Sequence, residues 1–126
     1  MEFKWSLAEA VVSSSVAYAE TMAIIYRKGW EASLESREIQ DAKDVFRADW
    51  NGFIQVEATS GLNPYIDQVL QKHFLRGFDA IHLASALIIH ERFPSSFFFA
   101  CFDQRLNQAA KLEKMATFDD GQEANV

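Results

Sequence analysis

The stretch Leu75–Arg92, "LRGFDAIHLASALIIHER", decides how the chain is read. From Phe78 to Ile89 nearly every residue is apolar or small, the pattern of a helix buried on most of its surface. Asp79 and His82 nevertheless stand in its first turn, three residues apart and therefore on one face. A carboxylate at the head of a buried helix has two explanations. One is local: an acid in the first turn offsets the positive end of the helix dipole. The other is that the carboxylate points into a site.

Upstream of this helix, expected over about 78–91, strands and helices alternate. "LNPYIDQVLQKHF" opens with Asn63 as N-cap and Pro64 at the first helical position, and turns Leu62, Ile66, Val69 and Leu70 inward. "GFIQVEA" (52–58) alternates as a strand does. A helix over about 36–50 buries Ile39, Ala42, Val45, Phe46 and Trp50. "AVVS" (10–13) reads as a strand feeding a helix over about 15–28, capped by Ser14 or Ser15 and ended by Gly29. That helix carries its apolar stripe at Val16, Ala19, Ala23 and Ile24, with Glu20 inside the stripe. Residues 3–8 read as the end of a further helix.

Downstream, "SFFFAC" (96–101) is a continuous apolar run, as in a strand covered on both faces. Asp103 stands just past its end and heads a last helix with Leu106, Ala109, Ala110 and Leu112 inward. "MATF" adds a short final strand. Alternating elements of this kind predict a three-layer α/β/α, Rossmann-like fold around a mostly parallel sheet, whose ligands bind beyond the carboxyl ends of the strands. One domain over residues 1–118 is expected, followed by a polar, frayed tail over 119–126.

The composition narrows the function. A net charge of -6 argues against a broad nucleic-acid-binding face, so any such contact needs a local basic patch or bound cations. The single cysteine, Cys101, excludes an intrachain disulfide framework. No apolar run approaches the ~20 residues that span a bilayer, and the first residues lack the apolar core of a signal peptide. A cytoplasmic protein without a membrane segment is the expectation.

Three acids break their local patterns: Glu20 in an apolar stripe, Asp79 heading a buried helix, and Asp103 at a strand end. Each has a local reading: Glu20 can snorkel to the surface, Asp79 can offset the dipole, and Asp103 can cap its helix. Brought together they repel one another unless a cation neutralises them, and a hard ion such as Mg²⁺ suits an oxygen-only cluster. "SSSVAYAET", "LRGFDAIHLASAL" and "FFFACFDQRL", in this order and spacing, resemble the PIN-domain ribonucleases, most closely toxins of the VapC type. The resemblance covers about residues 8–115, and its specific part is Arg76–Leu87.

The resemblance implies a Mg²⁺- or Mn²⁺-dependent endoribonuclease, paired with an antitoxin and usually a homodimer. It places Glu20, Asp79 and Asp103 at the family's second, third and fourth metal-site acids. Lys72, Arg76 and Arg105 are candidates for RNA phosphate contacts, and His82 for a structural hydrogen bond. Two departures stand out. Nothing upstream of Glu20 matches the family's first strand and its terminal acid, because Glu2 and Glu9 are flanked like helix residues. Cys101 also stands where the family often has a hydroxyl two residues before the acid. The alternative is therefore a nuclease-incompetent PIN fragment, lacking the first strand, that acts as an oligomerising, antitoxin-binding or RNA-binding module. Another Mg²⁺-binding α/β domain, such as a phosphatase or receiver, lacks the Arg76–Leu87 block.

Overall fold

The computed structural model describes residues 10–101 and 103–117. The expected helix end at 3–8 and the tail 119–126 lie outside the described residues. The chain divides into two compact bodies, one reaching Glu57 and the other beginning at Ala58. No described helix is long and apolar enough to cross a membrane.

The first body is a strand–helix–helix–strand unit: β1 (Val12–Ser14), α1 (Ala17–Glu31), α2 (Ser36–Asn51) and β2 (Ile54–Val56). β1 and β2 pair in parallel, Val12 opposite Ile54 and Ser14 opposite Val56, and the Ser15 N–H extends the ladder to Val56 O at 2.9 Å. The two helices form the crossover that a parallel pair requires. Their packed faces are Tyr18, Met22, Ile25 and Gly29 on α1, and Ile39, Lys43, Phe46 and Trp50 on α2, both at helical spacing. Tyr18 meets Phe46 and Trp50 with ring centroids 5.7 and 5.6 Å apart, and Phe53 closes the cluster against Trp50 at 5.8 Å.

α1 is thus rotated from its expected stripe, while α2 keeps Ile39, Phe46 and Trp50 on its packed face and loses only part of the stripe. Ala19, Ala23 and Ile24 are exposed on α1, as are Ala42 and Val45 on α2. The aromatic rings and Met22 have more apolar area to bury than the alanines, and they win the interface. Gly29 does not end α1. It is buried two residues before the helix terminus, where a Cβ would lie 2.6 Å from Ile39 Cδ1, so its missing side chain makes room for α2. The left-handed residue that stops α1 is Ser33 (φ 54), with Ser33 N–H donating to Trp30 O and Leu34 N–H to Gly29 O, the Schellman pattern. The helix head lacks the expected serine cap as well. Val16 occupies the N-cap position, and Ser14 Oγ accepts only from the Val16 N–H at 3.3 Å.

The second body comprises a 3₁₀ turn (Ser60–Leu62), α3 (Asn63–Lys72), α4 (Gly77–Arg92), β3 (Phe98–Phe99), α5 (Gln104–Leu112) and β4 (Ala116–Thr117). β3 and β4 are parallel, Phe98 opposite Ala116 and Phe99 opposite Thr117. Leu62, Val69, Leu83, Leu87, Leu106 and Met115 are the large members of an aliphatic core closed by Phe99. Ala80, Ala84, Ala109 and Ala110 let the helices approach closely. Ser85, buried in α4, sends its hydroxyl to Ile81 O at 2.7 Å and so leaves no donor unsatisfied. Asn63 is the first residue of α3 rather than its cap, because the preceding 3₁₀ turn places buried Leu62 there.

Leu70 and Leu112 point outward, contrary to expectation. The 96–101 run is a strand of only two residues, with Phe99 buried and Phe98 52% exposed, so it is covered on one face. α5 ends as α1 does: Lys114 is left-handed (φ 68), its N–H donates to Lys111 O, and Met115 N–H donates to Ala110 O. Parallel pairing agrees with the alternating pattern of the sequence. The expectation of one continuous sheet is replaced, among the described residues, by two two-stranded sheets.

Candidate active site

α4 begins at Gly77 with Arg76 as its extended N-cap, whose side chain makes no capping hydrogen bond. That turn carries Asp79, half-buried, while the next turns are fixed by Ala80, Leu83 and Ala84 in the core. Packing of the apolar residues therefore holds the helix end that presents the carboxylate.

Asp103 heads α5 and does cap it, accepting the Leu106 N–H on Oδ1 at 3.0 Å. This bond fixes the carboxylate orientation and leaves the second oxygen for a ligand. The Cys101 thiol donates to the Asp103 carbonyl at 3.4 Å. Buried Asn107 donates from Nδ2 to Cys101 O at 3.0 Å, tying the strand end to the helix, while its Oδ1 finds no partner. A polar residue on the apolar face of α5 was the sequence signal for that clamp.

Arg76, Asp79, Asp103, Gln104 and Arg105 line one open cleft. Two of the three predicted acids and two of the three predicted cations thus meet. Lys72 does not line it. Its ammonium lies 3.8 Å from Glu113, whose other oxygen bonds buried His73 at 2.7 Å, so Lys72 supports an ion pair joining α3 to the end of α5. Gln104 is an addition that its position beside Asp103 could have suggested. Glu20 lies half-buried in the first turn of α1, in the other body, off the packed stripe. His82 is half-buried on α4, one turn after Asp79.

The cleft offers two carboxylates and two guanidinium groups, a formal sum of zero in a chain of net charge -6. Oxygen ligands from one or two carboxylates, completed by water, are the donor set that Mg²⁺ accepts. Arginine forks beside them match phosphate oxygens. Among the described residues no group of three His, Cys, Asp or Glu side chains forms a cation-sized cluster.

Carboxylates at the heads of two helices, each after a connection from a parallel α/β scaffold, fit the class of PIN-type nucleases. The chain belongs to the VapC ribonuclease family. It is similar to Ribonuclease VapC45 of Mycobacterium tuberculosis (strain CDC 1551 / Oshkosh), 31% identical over 106 residues that cover 84% of this chain and 72% of the relative. The similarity to Ribonuclease VapC49 of Mycobacterium tuberculosis (strain ATCC 25618 / H37Rv) has the same extent and identity. No protein-family model matches the chain, and no solved structure does.

Proposed function

We propose that the protein is an endoribonuclease of the VapC toxin type, cleaving RNA phosphodiester bonds with the help of a divalent cation. The observation that carries this reading is the meeting of Asp79 and Asp103 with Arg76 and Arg105 in one cleft, in a chain of the VapC family. Asp79 and Asp103 hold the cation, Mg²⁺ or Mn²⁺, and Glu20 is the third acid by family correspondence alone. The cation supplies an activated water and offsets charge building on the phosphate. Arg76 and Arg105 bind and orient the phosphate, and the Asp103 cap keeps its carboxylate in place while this happens.

The proposal extends to the architecture and partners. The finer three-layer α/β/α form of the PIN fold is part of this reading, supported by the parallel pairing within each two-stranded sheet. A homodimer, a cognate antitoxin and a cytoplasmic location complete it.

The test is cleavage of a single-stranded RNA with Mg²⁺, with Mn²⁺ and with chelator. Metal-dependent cleavage that Asp79→Asn and Asp103→Asn both abolish supports the reading. Asparagine caps a helix as well as aspartate does, so Asp103→Asn removes a ligand without removing the cap. Cleavage that survives both substitutions, or that ignores the chelator, overturns it.

A further inference from the structure

The cleft has a neighbour that its chemistry leaves unused. Phe74, between α3 and α4, is 90% exposed, the largest exposure of any large apolar side chain among the described residues. It stands two positions before Arg76, and the Arg105 guanidinium lies over its ring, 5.9 Å from the centroid. Arg105 also lines the cleft with Asp79 and Asp103. The aromatic ring and the cleft therefore share one side chain, Arg105.

We propose that Phe74 is a base-stacking platform, which holds an unpaired base of the RNA beside the phosphate bound in the cleft. The inference rests on the ribonuclease reading of that cleft and adds to it the residue that positions the substrate. Charge favours this occupant. The cleft is formally neutral and Lys72 is engaged with Glu113, so few cations remain to gain affinity from released counterions. Stacking on an aromatic face supplies affinity that does not depend on charge, and every base offers a face. Within a duplex those faces are already covered, so Phe74 selects an unpaired segment. Arg105 attends the ring by a cation–π contact and is placed to bridge the stacked base and its phosphate.

The experiment uses the full chain in chelator, where no cleavage occurs, and a single-stranded oligoribonucleotide carrying 2-aminopurine, whose fluorescence falls on stacking. Phe74→Leu is expected to weaken binding about tenfold and to abolish the quench, as for the loss of one stacked base. Phe74→Tyr is expected to restore both. With Mg²⁺ present, Phe74→Leu should raise KM with kcat within about twofold. Equal binding by wild type and Phe74→Leu overturns the platform, as does a Tyr variant no better than Leu or a wild type that binds no oligonucleotide. Unchanged RNA binding with an altered sedimentation profile assigns the ring to a protein contact instead. A Mg²⁺-induced rise in Tm, lost in Asp103→Asn, is measured without RNA and reports the metal site separately. Failure of the platform is thereby distinguished from failure of the ribonuclease reading.

Discussion

The two bodies solve the burial problem in different ways. Residues from 58 onward bury an aliphatic core whose members touch across three helices and a parallel pair. Residues 10–57 bury few large side chains, Met22 and Trp50 among them, and rely on a cluster of rings while Trp30 and Val45 remain 73% and 66% exposed. A unit of that size has too little interior to bury all its apolar groups. The difference teaches where a rigid site can be built. Asp79 and Asp103 stand on helix ends anchored in the dense core, whereas Glu20 stands on a helix held by one face of rings.

The sharpest test of this contrast is Glu20→Gln. If Glu20 completes the metal site, cleavage falls at least about a hundredfold with little change in Tm, as expected for losing several kcal/mol of charge stabilisation. An unchanged rate in the same assay confines the chemistry to the second body.

Core truncation should separate the bodies next. Leu83→Ala, at a fully buried position, should lower unfolding free energy by about 2 to 5 kcal/mol in urea titrations. Val45→Ala should change it by less than about 0.5 kcal/mol. Comparable losses would mean that Val45 is covered in solution, which an accompanying change in oligomeric state would reveal.

Gly29→Ala tests the helix contact of the first body. The added Cβ meets Ile39 Cδ1 and Cγ1, both at 2.6 Å, so overpacking of about 1 to 3 kcal/mol outweighs a helix-propensity gain of up to about 1 kcal/mol. Ile39→Ala in the same chain removes both atoms and should make the second substitution nearly neutral in a double-mutant cycle.

Ser33→Gly and Lys114→Gly then compare the two helix ends. Each residue holds a left-handed conformation that glycine adopts without strain, and each substitution should raise stability by about 0.5 to 1 kcal/mol. The smallest effect is at Tyr65, whose hydroxyl donates to Glu91 at 3.1 Å and whose pKa is raised by that bond and by the negative charge of Glu91. A raised folded-state value gives stability that is present below the ordinary tyrosine value of about 10 and is lost as pH climbs through the raised one. The Tm difference between wild type and Tyr65→Phe should therefore be measurable at pH 8 and vanish in strong alkali.

Patterns set by chain-local chemistry were legible. The long apolar helix expected over 78–91 spans Gly77–Arg92, Pro64 lies in the first turn of α3, and "MATF" contains β4. Asp103 caps α5, as its local reading expected, and it also lines the cleft. The family was legible too, because Arg76–Leu87 combines a cation, an acid and a buried helix in a fixed order. Helix rotation was less so. The stripe of α1 admits two registers, and the choice falls to the rings that meet between it and α2.

The sequence by itself determined which segments are helices, that the strands pair in parallel, and which carboxylates interrupt apolar patterns, since each depends on neighbours a few residues apart. Tertiary structure decided what those neighbours cannot encode. It turned Tyr18 and Met22 inward in place of Ala19 and Ala23, closed α2 over Gly29, and drew Lys72 to Glu113. It also set Arg105 over the Phe74 ring and in the cleft that the two aspartates line. Each of these outcomes is a competition between groups distant in sequence for the same contact, and only the packed chain brings the competitors together.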